Sequence, residues 1–293
     1  MKIIVPKNAG VCWGVERAID MAYQTVGSST LHESQRHKIV SLGPLVHNPE
    51  VVEDFKSKGV EVISDLKETQ KGTVVFRSHG VPLPYYEEAK TKGLEVVDAT
   101  CPFVKRSQNY ARRFSRQGYF VVIVGDEKHP EMKSVRSFSP GPHLVTLDPK
   151  DLEKIPVDLK VGLIAQTTIP LAVFETMVEA AQKRFPEVKT HDTICDATKV
   201  RQEEAAETAR QVECMLIIGG KESSNTKKLT KICKEILDKS YEIEHEREID
   251  FSWFEGVKIL GITAGASTPV PAIQRVCNYI LDHLSQKQIQ KAI

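Results

Sequence analysis

Three cysteines stand at near-regular intervals in this 293-residue chain: Cys12, Cys101 and Cys195, separated by 89 and 94 residues. Each follows an apolar, strand-like run and opens a helical pattern. The clearest case is Leu94-Glu-Val-Val-Asp-Ala-Thr-Cys-Pro102, where Pro102 suits the first position of a helix because its missing N–H costs nothing there. A lone cysteine at a helix N-terminus reads as an activated thiol. Three of them at a common period read either as ligands of one metal site or as buried structural cysteines. Three thiolates converging on one axis could hold zinc with an open position, or an iron–sulfur cluster in which one iron lacks a protein ligand and acts as a Lewis acid. All-sulfur ligation without a helper histidine at the same strand edge leans toward the cluster. The remaining cysteines, Cys214, Cys233 and Cys277, lie in apolar runs and read as buried small hydrophobes.

A second set of polar residues follows the same period. Apolar strands end at Gly43, Gly125 and Gly219, and four residues after each glycine come His47, His129 and Ser223. A third set ends further strands, in Arg77-Ser-His-Gly-Val-Pro82, Ala165-Gln-Thr-Thr-Ile-Pro170 and Thr263-Ala-Gly-Ala-Ser-Thr-Pro269. His47, His79, His129, Ser223, Ser224, Asn225 and Ser267 thus gather at helix starts, where N–H groups and dipole favour anions. For any one serine plain N-capping is the simpler reading, and for any one histidine an exposed loop position; the recurrence at matched positions favours an anion cage. Glu131, two residues past His129, is the acid best placed to donate a proton, since a carboxyl in a closed cavity can be held protonated toward neutrality. Thr167 could relay or orient that proton. Glu50 sits similarly after His47, so position alone does not single out Glu131. His32, His37, His143, His191, His245 and His283 fall outside these positions and read as surface or packing residues.

These residues need elements to hold them, and the pattern supplies three copies of one unit. Strands alternate with helices throughout, which implies parallel-rich α/β layers. Helices are expected over residues 49–58 and 225–236, and short strands over 60–63, 144–147 and 241–243. Three domains of about 95 residues fit the repeat better than two larger ones: residues 1–100, 101–194 and 195–293, with the N-terminal strand open to packing on the third. A pseudo-threefold, trefoil-like arrangement around a central cavity would bring all nine strand ends together.

Composition narrows the function. Lys and Arg number 40 against 39 Asp and Glu, a net charge of +1, so nothing calls for nucleic acid or an anionic membrane. The longest apolar runs are strand-length, and the N-terminus lacks a signal peptide's apolar region. A cytoplasmic protein is expected, in which six cysteines are not disulfides.

At these residues the chain resembles the IspH/LytB family of 4-hydroxy-3-methylbut-2-enyl diphosphate reductases of the non-mevalonate isoprenoid pathway. The motifs are Ala9-Gly-Val-Cys-Trp-Gly-Val15, Val46-His-Asn-Pro49, Ser78-His-Gly80, Asp98-Ala-Thr-Cys-Pro102, His129-Pro-Glu131, Gln166-Thr-Thr168, Asp192-Thr-Ile-Cys195 with Ala197-Thr198 and Arg201-Gln202, Ser223-Ser-Asn225 and Thr263-Ala-Gly-Ala-Ser267. The resemblance implies a central [4Fe–4S] cluster with three cysteine ligands, Cys12, Cys101 and Cys195, and one open iron. It implies a diphosphate-binding set of His47, His79, His129, Ser223, Ser224, Asn225 and Ser267, with Glu131 as proton donor and Thr167 positioning the substrate hydroxyl. The implied substrate is a small allylic diphosphate that loses its hydroxyl by two-electron reduction, with ferredoxin, flavodoxin or a similar electron donor, in a monomer. Trp13, Ala165 and Val270 depart from familiar residues without touching the proposed ligands. The rivals are a cysteine-ligated zinc hydrolase or lyase on a phosphorylated substrate and a non-enzymatic cluster-bearing sensor.

Overall fold

A computed structural model describes residues 1–30 and 38–290, with side chains over 1–27 and 38–284; His32 and His37 lie outside these. The chain runs β1 (Lys2–Ile4), α1 (Trp13–Thr30), β2 (Ile39–Leu42), α2 (Pro49–Ser57), β3 (Val60–Ile63), β4 (Thr73–Phe76), α3 (Leu83–Thr91) and β5 (Glu95–Asp98). It continues through α4 (Pro102–Arg116), β6 (Phe120–Val124), α5 (Pro130–Ser137), β7 (His143–Thr146), β8 (Val161–Ala165), α6 (Leu171–Arg184) and β9 (Val188–Thr190). Last come α7 (Asp196–Gln211), β10 (Cys214–Ile218), α8 (Ser224–Ile236), β11 (Ser240–Ile243), β12 (Ile259–Ala264) and α9 (Val270–Gln290). Among the described residues no helix is long and apolar enough to cross a membrane.

The strands form three four-stranded sheets, β3-β2-β4-β5, β7-β6-β8-β9 and β11-β10-β12-β1, with every pairing parallel. The order is the same in each. Inner strands such as Val161–Ala165 and Cys214–Ile218 are buried along their whole length, as expected where helices cover both faces of a parallel sheet. The fourth strand of each sheet is β5, β9 or β1, the strand that leads to Cys101, Cys195 or Cys12. In β1 this required a long return, because Lys2, Ile3 and Ile4 pair with Ile259, Leu260 and Gly261 at the far end of the chain.

The chain divides into two compact units, one of residues 13–196 and one of residues 1–12 with 197–293. The first holds two sheets and the second holds one. In the second, Ile4, Met215, Ile217, Leu229 and Cys233 pack on one face of the sheet, and Ile262, Val276 and Ile280 on the other.

The run into Cys195 differs from a continuous strand. β9 stops at Thr190, and residues 191–195 continue as a loop. The reason is local: Thr193 Oγ1 accepts the Ala165 N–H at 2.8 Å and donates to the Ala165 carbonyl, taking the groups a longer β9 would have paired. Three of the four described spare histidines make structural contacts. His191 stacks on Tyr110 and His283 on Phe251, each with centroids 3.5 Å apart. His245 caps a short 3-10 turn, and His143 is exposed.

Candidate active site

In the unit of residues 13–196, strand ends place three imidazoles together. His47 follows β2, His79 follows β4, and His129 follows β6 as the N-cap of α5. Ring centroids are 4.4 Å apart for His47 and His79, 5.7 Å for His47 and His129, and 5.5 Å for His79 and His129. Local chemistry fixes two of them. Asn48 caps α2 by accepting the Glu50 and Val51 N–H groups, with Pro49 at the first helical position. His129 Nδ1 accepts the Glu131 N–H at 3.1 Å, which leaves Nε2 as the outward nitrogen. His79 Nδ1 is buried and makes no hydrogen bond. Burial holds the His79 pKa well below its ordinary 6.5, with help from His47, His129 and Arg77.

The nearest nitrogens of the three rings lie within 4.8 Å, a spacing a cation could also use. The helix starts argue for an anion. His47 and His129 stand at the N-termini of α2 and α5, whose dipoles present positive charge to the same place.

Glu131 is 2% exposed and sits in the first turn of α5. Its carboxylate accepts the Thr167 N–H at Oε1 and the Thr167 hydroxyl at Oε2, both at 2.7 Å. The Thr167 carbonyl in turn accepts the Cys195 N–H at 3.0 Å. Glu50, the other candidate acid, is exposed. Burial, which spacing could not show, separates the two.

Cys101 is tied to the histidine loops by Ser78. The Ser78 carbonyl accepts the Cys101 N–H at 2.9 Å, while the Ser78 N–H and hydroxyl both donate to the Leu45 carbonyl. A side chain at Gly14 would put its Cβ 2.6 Å from Cys101 Sγ, so glycine keeps the surroundings of that sulfur clear. Arg106 holds the third loop, donating from Nη2 to the Ile194 carbonyl at 3.0 Å. Sequence reasoning assigned no role to Ser78, Thr193 or Arg106, although Ser78 and Thr193 lie inside quoted motifs.

The other unit carries Cys12, Ser223, Ser224, Asn225 and Ser267. The Cys12 N–H donates to the Ala266 carbonyl at 3.2 Å. Arg201, 3% exposed, donates to the carbonyls of Asn8, Gly10 and Ala197 and so clamps the segment leading to Cys12. Ser223 caps α8 through Thr226 N–H. Asn225 is 5% exposed, yet neither its Oδ1 nor its Nδ2 has a partner. A buried amide with four idle hydrogen-bonding positions is costly, which makes Asn225 a candidate to meet a polar ligand. Gly219 and Gly265 both press on the Thr226 side chain, where any Cβ would collide. None of the six cysteines is in a disulfide.

A sequence model of the LytB protein family matches residues 3–281. The chain is 42% identical to a 4-hydroxy-3-methylbut-2-enyl diphosphate reductase of Geobacter sulfurreducens, over 98% of this chain and 100% of that one. It is 45% identical to the enzyme of the same name from Trichlorobacter lovleyi, over 95% and 97%. A solved structure of (E)-4-hydroxy-3-methyl-but-2-enyl diphosphate reductase, described as the terminal enzyme of the non-mevalonate pathway, matches with TM-score 0.70 and 39% identity over 96% of this chain and 99% of that one. The Plasmodium falciparum reductase structure matches with TM-score 0.87 over 94% and 87%; at 24% identity it speaks for the fold alone. With two sheet units ending in histidine and cysteine loops, and a match running almost end to end, the chain belongs to the LytB family.

Proposed function

We propose that this chain is a reductase of (E)-4-hydroxy-3-methylbut-2-enyl diphosphate that removes the substrate hydroxyl with two electrons and two protons, giving isopentenyl and dimethylallyl diphosphate. Family membership supports the reaction. The observation that carries it to particular atoms is the buried Glu131 carboxylate, held by both donors of Thr167, whose carbonyl binds the Cys195 N–H.

LytB proteins are iron–sulfur enzymes, and the donor set fits such a group: three soft thiols outside any disulfide, one of them kept clear by Gly14. Cys12, Cys101 and Cys195 would hold a [4Fe–4S] cluster, leaving one iron without a protein ligand. When bound, it supplies the electrons and a Lewis-acidic iron for the hydroxyl.

The chain's own residues do the rest. The residues assigned to the diphosphate are His47, His79 and His129 in one unit and Ser223, Ser224, Asn225 and Ser267 in the other; imidazoles and helix N-termini suit its charge. That grip fixes the allylic alcohol in one position, which is worth more to rate than affinity alone. Thr167 turns its hydroxyl toward the substrate oxygen and orients it. Glu131 gives the proton with which that oxygen leaves as water. Ferredoxin or flavodoxin serves as the electron donor, and the working form is a monomer.

Turnover tests the reading. Protein prepared without oxygen, given reduced methyl viologen and the hydroxylated diphosphate, should oxidise the dye while both isomeric products form. No dye oxidation by iron-replete protein would contradict it.

A further inference from the structure

A second opening lies at the carboxyl edge of the β3-β2-β4-β5 sheet, where parallel α/β sheets take ligands. It is a cavity of about 430 Å³, within the range of small-molecule pockets. Its apolar walls include Leu42, Ile63 and Val81, and its polar groups include Arg77, Tyr85 and Lys133. Arg77 is half-buried. Its Nε donates to the Gly80 carbonyl at 3.3 Å, and its guanidinium lies over Gly43, where any side chain would collide with Nη1. The backbone has therefore been cleared to admit this cation.

Neither Arg77 nor Lys133 has a carboxylate within ion-pair distance among the described residues. The two acids that act on Tyr85 are committed elsewhere. Glu88 pairs with Lys92 at 3.2 Å, and Asp65 caps a 3-10 turn. A half-buried guanidinium without a counter-ion is costly, and burial pulls its pKa down. An anion entering the cavity would relieve that cost, and the apolar walls would take whatever carbon it carries.

We propose that this cavity binds a small amphiphilic anion, its phosphate or carboxylate head held by Arg77 and Lys133 and its short apolar body against Leu42, Ile63 and Val81. Tyr85 adds a hydroxyl to the head group. This cavity shares no lining residue with the proposed diphosphate cage and stands whether or not the reductase reading holds.

Calorimetric titration of the anaerobically purified protein with hexyl phosphate, and separately with hexanoate, tests it; the two probes distinguish a phosphate from a carboxylate head. Saturable binding of at least one probe is expected, weakened about tenfold or more in Arg77→Met and in Lys133→Ala, and retained in Ser224→Ala. Lys133 is exposed, so its variant tests charge without disturbing the core. The proposal is overturned if neither probe binds, if Lys133→Ala binds as tightly as the parent, or if Ser224→Ala alone abolishes binding. Turnover is not the readout, so failure here leaves the reductase assay untouched.

Discussion

Thr167 donates both its N–H and its hydroxyl to the Glu131 carboxylate, each at 2.7 Å. Two donors from one residue fix both oxygens of an acid that is almost fully enclosed, and the same residue's carbonyl fixes Cys195. The proposed proton donor and a proposed cysteine ligand thus share one residue as support.

Replacing Glu131 by Gln keeps the shape and removes the proton. Turnover is expected to fall by about 10²–10⁴, with KM for the diphosphate little changed, because the acid is spent on the transition state and not on holding the diphosphate. Steady-state kinetics with reduced dye check it; an unchanged kcat would exclude Glu131 as the donor.

Thr167→Val removes only the hydroxyl and leaves a buried carboxylate oxygen with one donor fewer. A fall in kcat of about 10–100-fold is expected, while Thr167→Ser, which restores the hydroxyl, should recover most of it. If Val and Ser behave alike, the hydroxyl plays no part.

His79 is held neutral at neutral pH by burial, His47, His129 and Arg77. A bound anion stabilises the protonated imidazole, so its pKa is higher in the complex than in the free protein. Binding of inorganic pyrophosphate near pH 7 should take up protons, and affinity should rise as pH falls. Calorimetry in two buffers of different ionisation enthalpy measures the uptake. His79→Gln should reduce it, and zero uptake by the parent protein would contradict anion binding at this cluster.

Arg201 satisfies three carbonyls around the segment before Cys12. Arg201→Met strands them, and a loss of about 3 kcal/mol of stability is expected. Denaturant unfolding measures it. Iron content should fall with it, since the loop that presents Cys12 is no longer clamped.

Much of this was visible in the sequence because it repeats. Gly43, Gly125 and Gly219 predict where the strands stop, and Cys12, Cys101 and Cys195 predict where helices begin. The edge position of β1 is harder to read: Lys2–Ile4 is a three-residue run whose partner lies some 250 residues away, and no periodicity encodes such a pairing. The run before Cys195 reads as strand only because Cys12 and Cys101 each follow one, yet Thr193 spends its hydroxyl on Ala165 and ends the ladder. Ser78, Arg106 and Arg201 act through distant backbone carbonyls, which leave no spacing signal. Glu131 differs from Glu50 only in burial, and Asn225 only in having idle amide atoms, and both are properties of the folded chain.

Iron and acid-labile sulfide, assayed in protein purified without oxygen, test the proposed three-cysteine centre most directly. A brown protein with about four iron and four sulfide per chain, lost in Cys101→Ser, is the predicted result. A colourless protein carrying zinc and no sulfide would contradict it.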